Sequence, residues 1–177
     1  FICFWAKKIV MCGISGFIGT KKINDKVINQ TLSLMKNRGP DARGYVNFLD
    51  TEKRIHINLL HTRLAIIDLD KRSNQPFTIE ELTIIFNGEI YNYLEIKKKI
   101  LEKKKINFKT NSDTEILLYA YKLFGIKFFE CIEACGVLQF GIIKRKNFYC
   151  LKIDFQKSLY LFFKMLMVYI LAPKLNI

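Results

Sequence analysis

The chain contains 177 residues, of which 50% are hydrophobic and 25% are charged. This composition predicts one globular domain and excludes a disordered polypeptide. The formal net charge is +13, but the lysines are scattered and no nucleic-acid-binding motif accompanies them, so no nucleic-acid partner is expected. The five cysteines form an odd, irregularly spaced set, which predicts free thiols in a reducing cytoplasm and no metal site.

The first half of the chain is predicted to contain several strands and one helix. Residues 12–19 alternate apolar side chains between glycines, which favours a buried strand. Residues 25–37 carry apolar side chains at helical spacing, and this helix is expected to stop at Arg38-Gly39-Pro40, where glycine suits the position after a helix end. Further strands are predicted at residues 55–59, 64–69 and 82–86, the last ending in an Asn87-Gly88-Glu89 turn.

The second half is predicted to contain two helices and then strands. Residues 91–104 have helical periodicity, and Ser112 has the capping spacing that opens a second helix, which Gly125 ends. Four strands are expected after it, at residues 137–143, 148–153, 159–163 and 168–172. The apolar stretch containing the last two strands is too short to cross a membrane, so no membrane association is expected. The order of elements predicts an α+β layered structure.

The tripeptide Met11-Cys12-Gly13 offers a nucleophile. If Cys12 were the first residue, its α-amine, with a pKa of about 8, would lie beside a thiol of similar pKa and would serve as the base. Residues 1–11 are therefore expected to be an extension or a wrongly assigned start that is removed, with the domain covering residues 12–177.

Three further segments, at residues 61–68, 86–93 and 112–115, carry polar groups that suit chemistry. Each also has a simpler interpretation. Arg63 suits a surface ion pair, Asn87-Gly88 is a common turn dipeptide, and Asp113 suits the N-terminus of a helix.

Taken together and in this order, the four segments resemble the glutamine amidotransferase domain of the class II type. The similarity is greatest to glutamine-hydrolysing asparagine synthetases, which Arg38-Gly39-Pro40-Asp41 and Ser73-Asn74-Gln75-Pro76 also fit. The resemblance implies the fold of N-terminal-nucleophile hydrolases, a four-layer αββα sandwich of two antiparallel sheets covered by helices. It also implies that L-glutamine is the substrate.

The resemblance implies a role for each matching residue. Cys12 would be the nucleophile, with its α-amine as base, and Asn87 and Gly88 would form the oxyanion hole. Arg63 would clamp the α-carboxylate of glutamine, because a guanidinium binds a carboxylate through two parallel hydrogen bonds. The remaining predicted pocket residues are Ile66 and Ile67, which contribute backbone, Glu89 at the wall, and Asp113 opposite the α-ammonium group.

The chain also departs from the family pattern. Residues 151–160 lack the arginines and the glycine that the family usually has there, and no Ser-Gly-Gly-x-Asp-Ser loop occurs. The glutaminase half is expected to need no cofactor, and ATP and Mg would serve only the missing synthetase domain. That domain is expected on a separate subunit or another part of a larger enzyme, with aspartate or a sugar as ammonia acceptor.

Two alternatives are kept open. The chain would be an inactive glutamine-binding remnant if Cys12 kept its peptide bond to Met11. His56 and His61 are candidates for a Cys–His pair, but the resemblance favours a structural role for His61.

Cys131 and Cys135 are expected to be small buried residues. The oligomeric state is left open.

Overall fold

A computed structural model describes residues 11–51, 54–144 and 147–154 of the chain. Short 3-10 helices lie at Lys71–Ser73 and Ile126–Cys131. The longer elements of the described residues are, in chain order, β1 (Gly13–Gly19), α1 (Asp25–Met35), β2 (Ala42–Asp50), β3 (Ile55–Arg63), β4 (Phe77–Ile79), β5 (Leu82–Ile90), α2 (Tyr93–Lys103), α3 (Asp113–Phe124), β6 (Ala134–Lys144) and β7 (Asn147–Asp154).

The strands form two antiparallel sheets. The first has the order β1-β3-β2, and the second has the order β4-β5-β6-β7. In the first sheet Gly13 pairs with Thr62, and Ala42 pairs with Arg63, so the start of β1 and the end of β3 lie side by side. This register brings Cys12 next to the residues that follow β3.

Three separate apolar clusters show how the layers stack. Leu60 of β3 packs with Ile28 and Leu32 of α1, whereas Leu59 of the same strand packs with Ile85 of β5. Successive side chains of a strand point to opposite faces, so β3 contacts a helix on one face and the second sheet on the other.

The largest cluster joins the outer face of the second sheet to α2 and α3, through residues such as Ile84, Ile100 and Leu117, each fully buried. The order of layers is therefore α1, first sheet, second sheet, and α2 with α3. The predicted αββα sandwich of two antiparallel sheets is confirmed.

Local chemistry explains the helix ends. The Asn24 side chain accepts a hydrogen bond from the backbone nitrogen of Val27 at the start of α1, and Ser112 accepts one from Glu115 at the start of α3. Gly125 follows α3 with a φ of 67°, a conformation that suits glycine. The predictions for Ser112 and Gly125 are confirmed.

Gly39 has a different role from the predicted one. Helix α1 ends at Met35 with Lys36 as its cap, and Gly125 is the glycine with positive φ among the described residues. A Cβ at Gly39 would lie 2.2 Å from the carbonyl carbon and oxygen of Thr62. Glycine is needed there because the chain passes against the backbone of β3, and not because the helix ends there.

Two local predictions were wrong. Residues 64–69 form a loop and not a strand. The backbone folds around the side chain of Arg63, which donates hydrogen bonds to the carbonyl oxygens of Ile67 and Asp70. The Asn87-Gly88-Glu89 segment is not a turn but part of β5, where the pairing with β6 shifts between Asn87 and Glu89. Such an irregularity re-aims side chains within a continuous strand.

The short strand β4 and the long strand β2 were not predicted. The strands predicted at residues 159–163 and 168–172 lie outside the described residues. Cys131 is exposed and not buried. Across the described ranges, none of the helices combines the length and the apolar character needed to cross a bilayer.

Candidate active site

A cavity of about 260 Å³ opens where β1 begins, where β3 and β5 end, and where α3 begins. Seven of the eight predicted site residues line it, namely Cys12, Arg63, Ile66, Ile67, Gly88, Glu89 and Asp113. These residues come from four distant parts of the sequence, so the cavity exists only because the two sheets and α3 meet there.

The sulfur of Cys12 is held by the backbone of Leu64. The Leu64 nitrogen donates to Sγ at 3.3 Å, and Sγ lies 3.7 Å from the Leu64 carbonyl oxygen. Burial raises the pKa of the thiol, and this effect is opposed by the Leu64 contact and by the positive charge of Arg63. The thiol is therefore protonated near neutral pH unless a base lies beside it.

The guanidinium of Arg63 is buried and lies inside the loop that follows β3. Nη1 donates to the carbonyl oxygen of Asp70 at 3.0 Å and to Oδ1 of Asn74 at 2.9 Å. Nη2 donates to the carbonyl oxygens of Ile67, at 3.1 Å, and Asp68. Arg63 thus shapes the loop that carries Ile66 and Ile67, and all four acceptors are neutral, so its positive charge is retained beside the cavity.

Asp113 supplies the opposite charge. It is the first residue of α3, is only 7% exposed, and its Oδ2 accepts a hydrogen bond from the Ile90 nitrogen at 3.4 Å. The pKa of this carboxyl is raised to about 6. Burial is the main cause and the nearby charge of Glu89 contributes, while hydrogen bonds with Ile90 and Thr114 act in the opposite direction.

The end of β5 contributes the third wall. Gly88 and Glu89 line the cavity. Asn87 is 8% exposed and does not line the cavity, and its Oδ1 has no hydrogen-bond partner among the described residues. Its proposed place in an oxyanion hole stays a prediction.

Gln75 lines the cavity and was given no role from the sequence. Its Oε1 accepts from the Phe86 nitrogen at 2.6 Å, and its Nε2 donates to Oγ1 of Thr114 at 3.1 Å. Gln75 therefore ties β5 to the start of α3. The sequence signal for this residue is the motif Ser73-Asn74-Gln75-Pro76, of which Gln75 is part.

His61 is fully buried, and its Nε2 donates to the carbonyl oxygen of Phe86 at 3.2 Å. Burial is the main reason that its pKa is lowered to about 4, so the ring is neutral near pH 7. These contacts fit the structural role that was expected. Within the part of the chain that the structure describes, no group of three or more His, Cys, Asp or Glu side chains is arranged to hold a metal ion.

Comparison of the sequence with known proteins identifies its family. A family model described as a glutamine amidotransferase domain matches residues 11–152. A putative glutamine-hydrolysing asparagine synthetase of Methanocaldococcus jannaschii is 36% identical over 155 residues, which covers 77% of this chain and 28% of the relative. Asparagine synthetase 1 of Bacillus subtilis is 40% identical over 119 residues, covering 63% of this chain and 18% of that enzyme.

The chain thus spans less than a third of the length of these relatives. A solved structure of the glutamine phosphoribosylpyrophosphate amidotransferase of Bacillus subtilis is also similar, with a TM-score of 0.44 and 20% identity, covering 56% of this chain and 23% of that one. On the match of the family model, which extends over most of the sequence, the chain belongs to the glutamine amidotransferase domain family.

Proposed function

We propose that the domain hydrolyses the side-chain amide of L-glutamine through Cys12, once Cys12 is the first residue of the chain. The products are glutamate and ammonia. We further propose that the ammonia serves an asparagine-synthetase-like amination carried out by a synthetase domain elsewhere in a larger protein or on a separate subunit.

One juxtaposition carries the proposal. A cation, Arg63, a carboxyl, Asp113, and a thiol, Cys12, line a single cavity. Free glutamine has one carboxylate, one ammonium group and one amide, so the cavity offers a group of suitable charge or reactivity for each.

A substrate carboxylate that binds Arg63 must compete with the hydrogen-bond acceptors of the loop. All four Nη hydrogens of Arg63 already have acceptors in the loop or just after it. A carboxylate therefore binds by exchanging some of these hydrogen bonds, or through the positive charge that the neutral acceptors leave in place. The charge interaction favours the substrate even while the loop stays closed around the guanidinium.

The proposed reaction proceeds in two steps. The α-amine of Cys12 takes the thiol proton, and the sulfur attacks the amide carbon of glutamine, which places negative charge on its oxygen. Asn87 and the backbone nitrogen of Gly88 are proposed to stabilise this oxyanion. The C–N bond breaks, the nitrogen leaves as ammonia with the transferred proton, and water then hydrolyses the thioester to glutamate and a free thiol.

This hydrolysis is proposed to use no metal or cofactor. ATP and Mg are needed only by the proposed synthetase domain, whose acceptor would be aspartate or a sugar.

A second candidate function is glutamine binding without hydrolysis. Met11 lines the cavity beside Cys12, and burial raises the pKa of the Cys12 thiol. A chain that keeps the Met11–Cys12 peptide bond has no terminal amine to remove the thiol proton. Such a chain would still offer Arg63 and Asp113 to the substrate.

The experiment compares two chains, one beginning at Cys12 and one retaining residues 1–11, with the first residue of each verified by intact mass. We expect ammonia release from glutamine, and labelling of Cys12 by a glutamine-like diazoketone, only in the chain that begins at Cys12. Calorimetry with L-glutamine on both chains tests binding separately. If a verified Cys12 chain binds glutamine but releases no ammonia, the binding function replaces the hydrolytic one.

A further inference from the structure

We propose that Asp68 is a positioning residue that holds together the two walls of the cavity that recognise the α-carboxylate and the α-ammonium group of the substrate. The inference rests on the proposed function, because it concerns how that same cavity binds glutamine. Asp68 lies in the motif at residues 61–68, but it does not line the cavity, and no role in the reaction has been assigned to it.

The carboxylate of Asp68 reaches the wall that carries Asp113. Its Oδ2 accepts a hydrogen bond from the backbone nitrogen of Asn111 at 2.7 Å. Asn111 immediately precedes Ser112, whose side chain caps α3, and Asp113 is the first residue of that helix. This bond spans 43 positions of sequence and fixes the approach to α3 against the loop.

The backbone of Asp68 reaches the wall that carries Arg63. Its carbonyl oxygen accepts from Nη2 of Arg63. Its Oδ1 accepts from the nitrogen of Asp70 at 3.3 Å, and the Asp70 carbonyl oxygen in turn accepts from Nη1 of Arg63 at 3.0 Å. One residue is thus joined to both charged sides of the cavity.

The conformation and charge of Asp68 suit this task. Its φ is 51°, in the left-handed region that aspartate tolerates better than most side chains. Hydrogen bonding, above all from Asn111, lowers the pKa of the carboxyl to about 2, and Arg72 lies 3.4 Å from Oδ2. The carboxylate is therefore ionised throughout the neutral range and is a strong acceptor.

The expected consequence concerns binding more than chemistry. Asp68 does not contact the Cys12 sulfur, whose hydrogen-bond partner is the Leu64 backbone. Loosening the two walls lowers the affinity for the two α-groups in the ground state and in the transition state alike. Such a change raises KM and leaves kcat nearly unchanged.

The test uses three chains that begin at Cys12: the parent, Asp68→Gly and Asp68→Asn. Glycine removes the carboxylate but adopts positive φ without strain, so it separates the hydrogen bonds from backbone effects. Asparagine keeps the shape and one acceptor oxygen but loses the charge. Glu80→Gly is the matched control, because Glu80 also has a positive φ, of 54°, and forms an ion pair with Lys122 outside the cavity lining.

We expect KM for glutamine to rise about tenfold in Asp68→Gly and by a smaller factor in Asp68→Asn, with kcat within about twofold of the parent. The dissociation constant from calorimetry should rise in parallel. Glu80→Gly should match the parent. Alkylation of Cys12 by iodoacetamide, which needs neither α-group, should proceed at the parent rate in all four chains.

An unchanged KM in Asp68→Gly would overturn the inference, and so would a fall in kcat with constant KM. If Asp68→Gly does not fold, an unchanged KM and dissociation constant in Asp68→Asn would overturn it equally. Failure of the proposed hydrolysis is a distinct result, because there the parent itself releases no ammonia from glutamine. If that parent still binds glutamine, the dissociation constants of the variants test the role of Asp68.

Discussion

The sulfur of Cys12 lies 3.3 Å from the backbone nitrogen of Leu64, the residue that directly follows β3. The antiparallel pairing of β1 with β3 produces this contact, because Gly13 lies opposite Thr62 in the register. The candidate nucleophile is therefore attached at the same end of the sheet as Arg63. The pairing of β1 with β3 thus brings both Cys12 and Arg63 to the cavity, which β5 and α3 complete.

Replacing the nucleophile tests the central chemistry. In a chain that begins at residue 12, Cys12→Ala should lower ammonia release from glutamine by about three orders of magnitude or more, because no thioester can form. The measurement is an enzyme-coupled ammonia assay. Cys131→Ala serves as the control, since Cys131 is an exposed thiol outside the cavity lining, and its variant should keep the parent rate.

Asp113 should make stability depend on pH. Its pKa is raised from 3.8 to about 6, so between these values the folded state binds more protons than the unfolded state. The contribution of Asp113 to the free energy of unfolding should therefore fall as pH rises from about 4 to 6. Buried His61, whose pKa is lowered from 6.5 to about 4, contributes the opposite trend over this range, so the effect of Asp113 is read from the difference between the parent and Asp113→Asn. Asp113→Asn lacks the ionisable carboxyl and should therefore be more stable than the parent at pH 7.5 by about 3 kcal/mol, as measured by urea denaturation at several pH values.

The same substitution should weaken substrate binding. Asparagine lacks the negative charge that is proposed to face the α-ammonium group, so KM for glutamine should rise although the fold is more stable. In the parent, KM should also rise as pH falls below 6, where Asp113 becomes protonated. A variant that is more stable but binds glutamine as well as the parent would contradict the role of Asp113.

Arg63 should matter for stability as well as for binding. Arg63→Met leaves several acceptors of the loop without their donor, and Arg63→Lys has too few donors in the wrong geometry to replace a guanidinium. Both variants should lose about 2–4 kcal/mol of unfolding free energy, measured by chemical denaturation. Glu80→Gln is the comparison, because its ion pair with Lys122 is largely exposed, so its melting temperature should stay near that of the parent.

Gly39 provides a purely steric prediction. Gly39→Ala would place a Cβ at 2.2 Å from the Thr62 carbonyl group, which belongs to β3 and cannot move away without disturbing the sheet. We expect a loss of about 3 kcal/mol or more. Gly19→Ala is the control, since a Cβ there has no neighbour within 4 Å among the described residues. Similar melting temperatures for the two variants would show that the chain can relax around Gly39.

The sequence predicted well where local chemistry or a dense motif was decisive. Helix α3 begins after Ser112 and ends before Gly125, as expected, because capping depends on residues only a few positions apart. The prediction of a strand at residues 64–69 was wrong because a buried side chain, and not the local sequence, decides the conformation there. The apolar side chains of this segment suggested β-structure, but the buried guanidinium of Arg63 binds carbonyl oxygens that a strand would have used for pairing.

The irregularity in β5 at Asn87–Gly88 could not be predicted from local sequence patterns either. Asn-Gly is typical of turns, yet here both residues belong to β5, which pairs with β6 on both sides of them and so remains one strand. At that position the pairing between strands outweighs the preference of Asn-Gly for turns. Gly88 and Glu89, which lie at this irregularity, both line the cavity.

By itself, the sequence determined the types of chemical group available and their order along the chain: a thiol after Met11, a guanidinium at residue 63, an amide with a glycine at 87–88, and a carboxyl at 113. Only the tertiary structure decided which of these groups share a cavity and what surrounds each of them. Hydrogen bonds such as those from Arg63 to Asn74 and from Asn111 to Asp68 join residues 11 and 43 positions apart. Bonds of this kind depend on the packing of sheets and helices, which local sequence patterns do not specify.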